Sequence, residues 1–108
     1  MSDAALRARS VSREQLIAEL RALMPEFIRA GVTHMTLFGS RARQDNRPDS
    51  DVDVAIEVDP KRKFSLVDLI GVEHVIVDNV GLVANAQMRR SLSPKFHEEL
   101  ARDGLDIF

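Results

Sequence analysis

Two aspartates at the start of an apolar run are the residues of this chain best suited to do chemistry. Asp51 and Asp53 head the segment VDVAIEV, whose valines and isoleucine are typical of a buried strand. Because side chains alternate along a strand, both aspartates point to the face that also carries Ala55 and Glu57. Two like charges so placed repel each other unless a cation lies between them. The pair therefore indicates a divalent metal site.

A glycine and a serine precede this pair, and ten residues separate Ser40 from Asp51. Gly39 and Ser40 follow an apolar segment and precede a short basic stretch, as at the end of a strand and the start of a helix. Backbone N–H groups at such a place are unpaired and bind anions, and glycine lets a phosphate approach them closely. Carboxylate oxygens are the ligands that Mg²⁺ prefers when it also binds substrate phosphates. Each element alone is most often a turn or a solvated strand edge, but together they indicate a phosphate-binding turn that faces a metal site.

The N-terminal part of the chain predicts a helix, a strand and a second, short helix. Ser12 and Gln15 form the pattern of a capping box, and apolar residues then recur at helical spacing until Gly31. Pro25 is expected to kink this helix or to divide it in two. The segment Val32–Phe38 predicts a strand, and one or two helical turns follow at RAR. The glycine–serine turn thus lies between a strand and a short helix.

A second strand and a second long helix are predicted in the middle of the chain. A turn-rich loop over residues 44–50 leads into the strand that begins at Asp51. Ser65 caps the helix that follows, and Gly81 ends it. The apolar stripe of this helix is expected to be buried and comprises Leu66, Leu69, Ile70, Val72, Ile76 and Val80.

The C-terminal part completes a small α/β domain. Residues 82–86 fit a third short strand, and a last helix is expected between Ser93 and Gly104. The final segment, LDIF, is expected to be an apolar tail. The order of elements predicts one domain over residues 12–108, after a mobile segment of residues 1–11.

The amino-acid composition limits the classes of protein to which this chain can belong. A chain of 108 residues with 44% hydrophobic and 30% charged residues fits one globular domain. The net charge of −2 gives no strong field to attract nucleic acid, so direct DNA binding is not expected. The absence of cysteine excludes disulfides and thiolate metal sites, and the N-terminus lacks an apolar run long enough for a signal peptide or a membrane span. We therefore expect a cytoplasmic protein.

The string Gly-Ser, ten residues, then Asp-x-Asp, preceded by an apolar strand ending in Leu-Phe, resembles the signature of the nucleotidyltransferases of the DNA polymerase beta superfamily. The small size resembles the minimal nucleotidyltransferases that occur as antitoxins beside HEPN-type partner proteins. The resemblance extends from Glu14 to the C-terminus. It implies a small nucleotidyltransferase fold of the α/β (α+β) class, with a short mixed sheet of about three to four strands flanked by helices.

The resemblance also implies a mechanism. In that family two Mg²⁺ ions are held by carboxylates, one binding the triphosphate and the other activating an acceptor hydroxyl for in-line attack on the α-phosphate, with pyrophosphate leaving. Asp51 and Asp53 would be the metal ligands. Gly39 and Ser40 would hold the β- and γ-phosphates, with Arg43 near them. The implied reaction is the transfer of a nucleoside monophosphate, AMP from ATP, to a hydroxyl of a HEPN-type toxin, which the modification silences.

One position departs from the family pattern. After the central helix the family has glycine, two residues, a hydrophobic residue and Asp, whereas this chain has GLVAN, so that Asn85 stands in place of the third carboxylate. An amide carries no charge, cannot act as a base and is a poorer Mg²⁺ ligand. The metal that activates the acceptor would be held more weakly, while the triphosphate-bound metal could survive on Asp51 and Asp53.

No other Asp, Glu or His residue lies in a sequence pattern that would let it take the place of the third carboxylate. Asp78 falls on the predicted central helix, where a capping or solvated role is more common, and the motif supports neither Glu57 nor Asp106. The histidines are scattered without metal-binding spacing and comprise His34, His74 and His97.

Two functions from different classes therefore remain open. The first is an Mg²⁺-dependent enzyme that modifies a partner protein, and the second is a catalytically weakened module that binds nucleotide or masks its partner. Asn85 favours the second, and the intact Gly39, Ser40 and aspartate pair favours the first. A third interpretation assigns no site at all: an α/β domain whose acidic strand end is only solvated.

The candidate interface for a partner is the valine-rich helix over residues 65–80, if apolar residues remain exposed after it packs on the sheet. Basic clusters at residues 61–63 and 89–90 could meet an acidic partner or the nucleotide. An oligomer is also possible.

Overall fold

The computed structural model describes residues 8–108. Residues 1–7 of the segment predicted to be mobile lie outside the described residues. Arg9, however, is already anchored: its Nη1 donates to Glu19 Oε1 at 2.8 Å and to the Val80 carbonyl oxygen, and its backbone N–H donates to the Pro48 carbonyl at 2.8 Å. The packed part of the chain therefore reaches back beyond Ser12.

A mixed four-stranded sheet forms the centre of the molecule. Strand β1 (Val32–Phe38) pairs antiparallel with β2 (Val52–Val58), and β2 pairs parallel with β3 (Ala84–Met88). Strand β4 (Leu105–Asp106) pairs antiparallel with the other edge of β1, which gives the order β3-β2-β1-β4. The prediction of a short mixed sheet is confirmed, and the first strand has the predicted bounds.

The expectation of a mere apolar tail at LDIF is wrong, because these residues form β4 and its extension. The Ile107 N–H donates to the Met35 carbonyl at 2.8 Å, and Ile107 is buried. Two paired residues are too few to show an alternating pattern in the sequence.

Five α-helices lie within residues 8–108, and Pro25 divides the first predicted helix in two. The proline lies in the first turn of the second piece, where its missing N–H has no helical partner to lose. Ser65 and Asp68 form a complete capping box at the start of the long central helix. The helices are α1 (Arg13–Ala22), α2 (Met24–Ala30), α3 (Ser40–Arg43), α4 (Leu66–Val80) and α5 (Pro94–Asp103), with a 3₁₀ turn at Arg89–Ser91.

The sheet has two covered faces of unequal size. Helices α1, α2 and α4 cover one face, where alternate residues of β2 (Val52, Val54 and Ile56) enter the main core. Helix α5 covers part of the other face through Leu100, which packs in a small cluster with Phe38 and Ala55. The aspartates belong to this second face, as their alternation with the valines predicts. None of the helices in residues 8–108 is long and apolar enough to cross a membrane.

The predicted buried stripe of α4 is right for three positions and wrong for two. Val72, Ile76 and Val80 are buried, whereas Leu66 is 70% exposed and Ile70 is 41% exposed. Ile70 lies about 120° around the helix from Ile76, so both cannot face one sheet. An apolar flank of α4 is therefore left uncovered by residues 8–108.

Candidate functional site

Strand register brings the two aspartates and the asparagine together. Asp53 in β2 lies opposite Phe38 in β1 and beside Asn85 in the parallel strand β3. The Val52 N–H donates to the Val83 carbonyl at 2.8 Å, which ties the entry into β2 to the entry into β3. Gly39 follows Phe38 directly, so the glycine–serine turn lies at the same end of the sheet.

One amide group lies between the two carboxylates. Asn85 Nδ2 donates to Asp51 Oδ2 at 2.8 Å and to Asp53 Oδ1 at 3.4 Å. Burial raises the pKa of Asp53, and the charges of Asp51 and Glu99 raise it further, while the Asn85 hydrogen bond and the Arg43 charge lower it. A single donor therefore holds together two carboxylates that repel each other.

This donor set fits a hard divalent cation. Two carboxylates that converge on one nitrogen atom also converge on a position where a cation could lie, and carboxylate and amide oxygens are hard ligands. Within residues 8–108 no cluster of three or more His, Cys, Asp or Glu residues is suited to a metal. The pair Asp51 and Asp53 would therefore have Asn85, an uncharged group, as its third member.

Gly39 is required by the geometry of this site. Its φ is +79° and its ψ is −159°, a region that is essentially restricted to glycine. A Cβ atom at this position would lie 2.4 Å from Asp53 Oδ2. The turn can approach the Asp53 carboxylate closely only because residue 39 has no side chain.

Ser40 and Arg43 lie on the single helical turn α3 after this glycine. Ser40 is partly exposed, and no side chain in the described part of the chain caps the start of α3. Arg43 Nε donates to Asp45 Oδ2 at 3.0 Å, and its Nη1 lies 3.9 Å from Glu99 Oε2. The phosphate-binding role of these two residues and of Gly39 stays a prediction.

Arg41 is the residue of this region whose burial sequence reasoning did not predict. It is 2% exposed, and its Nε donates to the Ser50 carbonyl at 3.0 Å. Its Nη2 donates to the carbonyls of Pro48 and Arg47 at 3.1 and 3.3 Å. Burial lowers the pKa of Arg41, the Arg9 charge lowers it further, and the Asp49 and Asp51 charges raise it. Arg41 thus joins α3 to the loop that delivers Asp51.

Replacing Arg41 with methionine is expected to lower the free energy of unfolding by about 3 kcal/mol, because it removes the donor of three part-buried hydrogen bonds to backbone carbonyl groups. Arg41→Lys keeps the positive charge but loses the planar set of N–H donors. Its stability is therefore expected to lie between that of the native chain and that of Arg41→Met. Urea unfolding of both variants measures this. The control is Arg47→Met, which removes an exposed pair with Asp49 and should change stability by less than about 0.5 kcal/mol. An effect of Arg41→Met as small as the control would contradict the assigned role.

The other acids considered from the sequence lie away from the pair. Glu57 Oε2 and Asp106 Oδ1 lie 2.6 and 3.0 Å from the two ring nitrogens of His34, so they belong to a separate cluster farther along the sheet. Asp78 is exposed on α4. The acid that sequence reasoning missed is Glu99 of α5, whose charge acts on Asp53. Only the packing of α5 on the sheet places it there, so no local pattern could have found it.

The raised pKa of Asp53 means that its ionised carboxylate destabilises the folded protein when no metal is bound. Its carboxyl binds a proton more tightly in the folded than in the unfolded chain, so stability falls as pH rises from 3.8 through the folded pKa. Asp53→Asn removes this loss and should make the metal-free protein more stable at pH 7, with the difference vanishing well below pH 3.8. Urea unfolding in the presence of a chelator, with Asp78→Asn as the control, measures it. A less stable Asp53→Asn protein at pH 7 would refute this expectation.

Comparisons with known proteins agree with this geometry. Residues 14–105 match the family model of the nucleotidyltransferase domain. A candidate protein adenylyltransferase of Methanocaldococcus jannaschii is 24% identical over 87 residues, which are 81% of this chain and 91% of that protein. The solved structure of a protein described as a candidate minimal nucleotidyltransferase matches with a TM-score of 0.72 and 26% identity. The match covers 88% of this chain and 95% of that chain.

A more distant match concerns the fold alone. A chain in the solved complex of the tri-AMPylated Shewanella oneidensis HEPN toxin with its MNT antitoxin has a TM-score of 0.64 and 14% identity, over 89% of this chain and 71% of that one. The resemblance inferred from the glycine–serine and Asp-x-Asp motifs is confirmed. The chain belongs to the nucleotidyltransferase domain family.

Proposed function

We propose that this protein transfers AMP from Mg²⁺-bound ATP to a hydroxyl group of a partner protein. The observation that carries the proposal is the convergence of Asp51 and Asp53 on one point, beside a glycine turn that admits no side chain. A solvated strand end has no need of two half-buried carboxylates held together in this way. The match to the nucleotidyltransferase domain supports the same reaction class.

Each residue of the site would have a distinct task. The backbone N–H groups at Gly39 and Ser40 would bind the β- and γ-phosphates, and the open turn at Gly39 lets them approach. Asp51 and Asp53 would hold Mg²⁺, which when bound offsets the charge of the triphosphate. Arg43 would move from its exposed pair with Asp45 to add positive charge beside the phosphates.

In the reaction the acceptor oxygen forms a bond to the α-phosphorus and the bond from that phosphorus to the bridging oxygen of pyrophosphate breaks. The acceptor loses its proton. Asn85 cannot take this proton because an amide is not a base, so the proton would pass to water. We therefore expect slow turnover, and an acceptor that the partner itself presents in the correct orientation.

The proposed acceptor is a HEPN-type toxin, with this chain as its antitoxin. The relative from Methanocaldococcus jannaschii, a candidate protein adenylyltransferase, supports a protein acceptor, and the AMPylated toxin in the Shewanella oneidensis complex supports the toxin class. The cytoplasmic location and an oligomeric state stay predictions.

A second candidate function rests on Asn85. Because the Asn85 amide donates to both carboxylates, the aspartate pair has a hydrogen-bond partner even without a metal, as a module that only masks its partner would need. Such a module would bind the toxin and inhibit it without modifying it.

Incubation with labelled ATP, Mg²⁺ and a HEPN-type protein encoded beside this chain tests the proposal. Covalent label on the toxin that is lost in Asp51→Ala/Asp53→Ala establishes transfer. Inhibition of the toxin without label, equally strong in the double variant, would instead establish masking. Label that persists in the double variant would refute the assigned site.

A further inference from the structure

The first turn of α4 carries an apolar patch that nothing in residues 8–108 covers. Leu66 and Val67 are 70% and 77% exposed, and Ile70 beside them is 41% exposed. The structure fixes this turn firmly, because the Ser65 hydroxyl accepts from the Asp68 N–H and the Asp68 carboxylate accepts from the Ser65 N–H. A rigid, exposed group of three large apolar side chains at adjacent helix positions is unusual on a monomer surface.

Two cavities adjoin this patch and have two lining residues in common. One has a volume of about 220 Å³ and is lined by Phe64, Leu66, Leu69, Met88 and Arg90, among others. The other has a volume of about 300 Å³, is also lined by Met88 and Arg90, and continues to Arg89 and His97. The exposed helix turn and the two cavities thus form one surface, which we call the α4 surface, with apolar residues at its centre.

Basic residues flank the α4 surface, and one acid, Glu57, lines the larger cavity. Lys61 and Lys63 precede α4, and Arg89 and Arg90 form the 3₁₀ turn beside it. In the described part of the chain none of these four side chains lies within 4.0 Å of a carboxylate. The acids nearby are already engaged: Glu57 with His34, Asp68 with the helix cap, and Asp59 with the Lys61 N–H. These cations are therefore available to an incoming molecule.

We propose that the α4 surface is the docking site for an amphipathic helix of the partner protein, with apolar residues on one face and carboxylates flanking them. Apolar side chains of that helix would fill the two cavities and cover Leu66, Val67 and Ile70, while its acids would meet the basic rim. A second copy of this chain fits poorly, because a symmetric dimer through this surface would place the basic rim against itself.

The α4 surface leaves the catalytic end of the sheet free. The surface meets β2 at Ile56, Glu57 and Val58, and its part nearest to Asp53, at Ile56, is about 10 Å along the strand from that aspartate. A partner anchored there could present its acceptor hydroxyl to the aspartates without blocking the entry of nucleotide. This inference rests on the proposed function and adds to it the surface and chemistry of the partner.

A fluorescein-labelled acidic peptide tests the docking site on the full chain. The peptide carries leucines on one helical face and glutamates elsewhere, and its matched version carries lysines instead of the glutamates. We expect the glutamate peptide to bind, and the lysine peptide to bind at least about tenfold more weakly. Leu66→Ser/Val67→Ser/Ile70→Ser and Arg89→Glu/Arg90→Glu should each weaken binding of the glutamate peptide about tenfold or more.

The control variant is Met24→Ser/Ile28→Ser, which removes the exposed apolar residues of α2 and should not change peptide binding. Absence of binding, equal binding to the triple-serine variant, or equal affinity for both peptides would overturn the proposal. So would dimer formation by the native chain that the triple-serine change abolishes, because the occupant would then be a second copy. Mg²⁺-dependent nucleotide binding should persist in the triple-serine variant, so failure of docking and failure of the proposed catalytic site are distinguishable.

Discussion

Gly39→Ala is expected to abolish Mg²⁺-dependent nucleotide binding while leaving the protein folded. The new Cβ would lie 2.4 Å from Asp53 Oδ2, so either the turn or the carboxylate must move, and both belong to the proposed site. The backbone conformation at φ +79° adds about 1–3 kcal/mol of strain for any residue with a side chain. Urea unfolding and calorimetric titration with Mg²⁺ and a non-hydrolysable ATP analogue measure the two effects separately.

Gly71→Ala is the matched control for this substitution. Gly71 lies inside α4, and a Cβ there would meet no atom of residues 8–108 within 4 Å. Alanine at this position should raise stability by about 0.5–1 kcal/mol and leave nucleotide binding unchanged. Full nucleotide binding by Gly39→Ala would show that the turn does not contact the nucleotide.

Asn85→Asp is expected to make the stability of the protein depend strongly on a divalent metal. Without metal, the change removes the donor that joins Asp51 and Asp53 and adds a third negative charge, which should lower the free energy of unfolding by about 2 kcal/mol. With Mg²⁺, three carboxylates replace two, and the variant should bind metal more tightly than the native chain. Thermal unfolding with and without Mg²⁺ detects this reversal.

The same substitution separates the two candidate functions. If the native chain transfers AMP slowly, Asn85→Asp should accelerate transfer to the toxin. The control Asn79→Asp adds a carboxylate at an exposed site on α4 and should give no Mg²⁺-dependent stabilisation. An Asn85→Asp protein whose stability is indifferent to Mg²⁺ would show that the aspartate pair is not a metal site.

The strands and helices with strong local signals could be predicted from the sequence. The β-branched segment Val32–Phe38 forms a strand with the predicted bounds, and Ser65 and Ser93 cap helices at the predicted positions. The alternation of Asp51 and Asp53 with valines placed both carboxylates on one face. These features depend on neighbouring residues alone, which is why one sequence was sufficient.

The features that depend on distant residues could not be predicted. The two-residue strand β4 exists only because β1 offers a free edge. The burial of Arg41 depends on carbonyl groups that the loop of residues 47–50 turns toward it. The motif placed Asn85 in the site, but its two hydrogen bonds follow from the parallel pairing of β2 with β3. In each case tertiary packing decides the contact.

The most direct test of the metal site is calorimetric titration of the purified protein with a non-hydrolysable ATP analogue, in the presence of Mg²⁺ and in the presence of a chelator. The native chain should bind the nucleotide only with Mg²⁺, Asp51→Ala/Asp53→Ala should not bind it, and Asp78→Ala should bind as the native chain does. Equal binding by the native chain and the double variant, or binding that is indifferent to Mg²⁺, would contradict the assignment of Asp51 and Asp53 as the groups that hold a metal against a triphosphate.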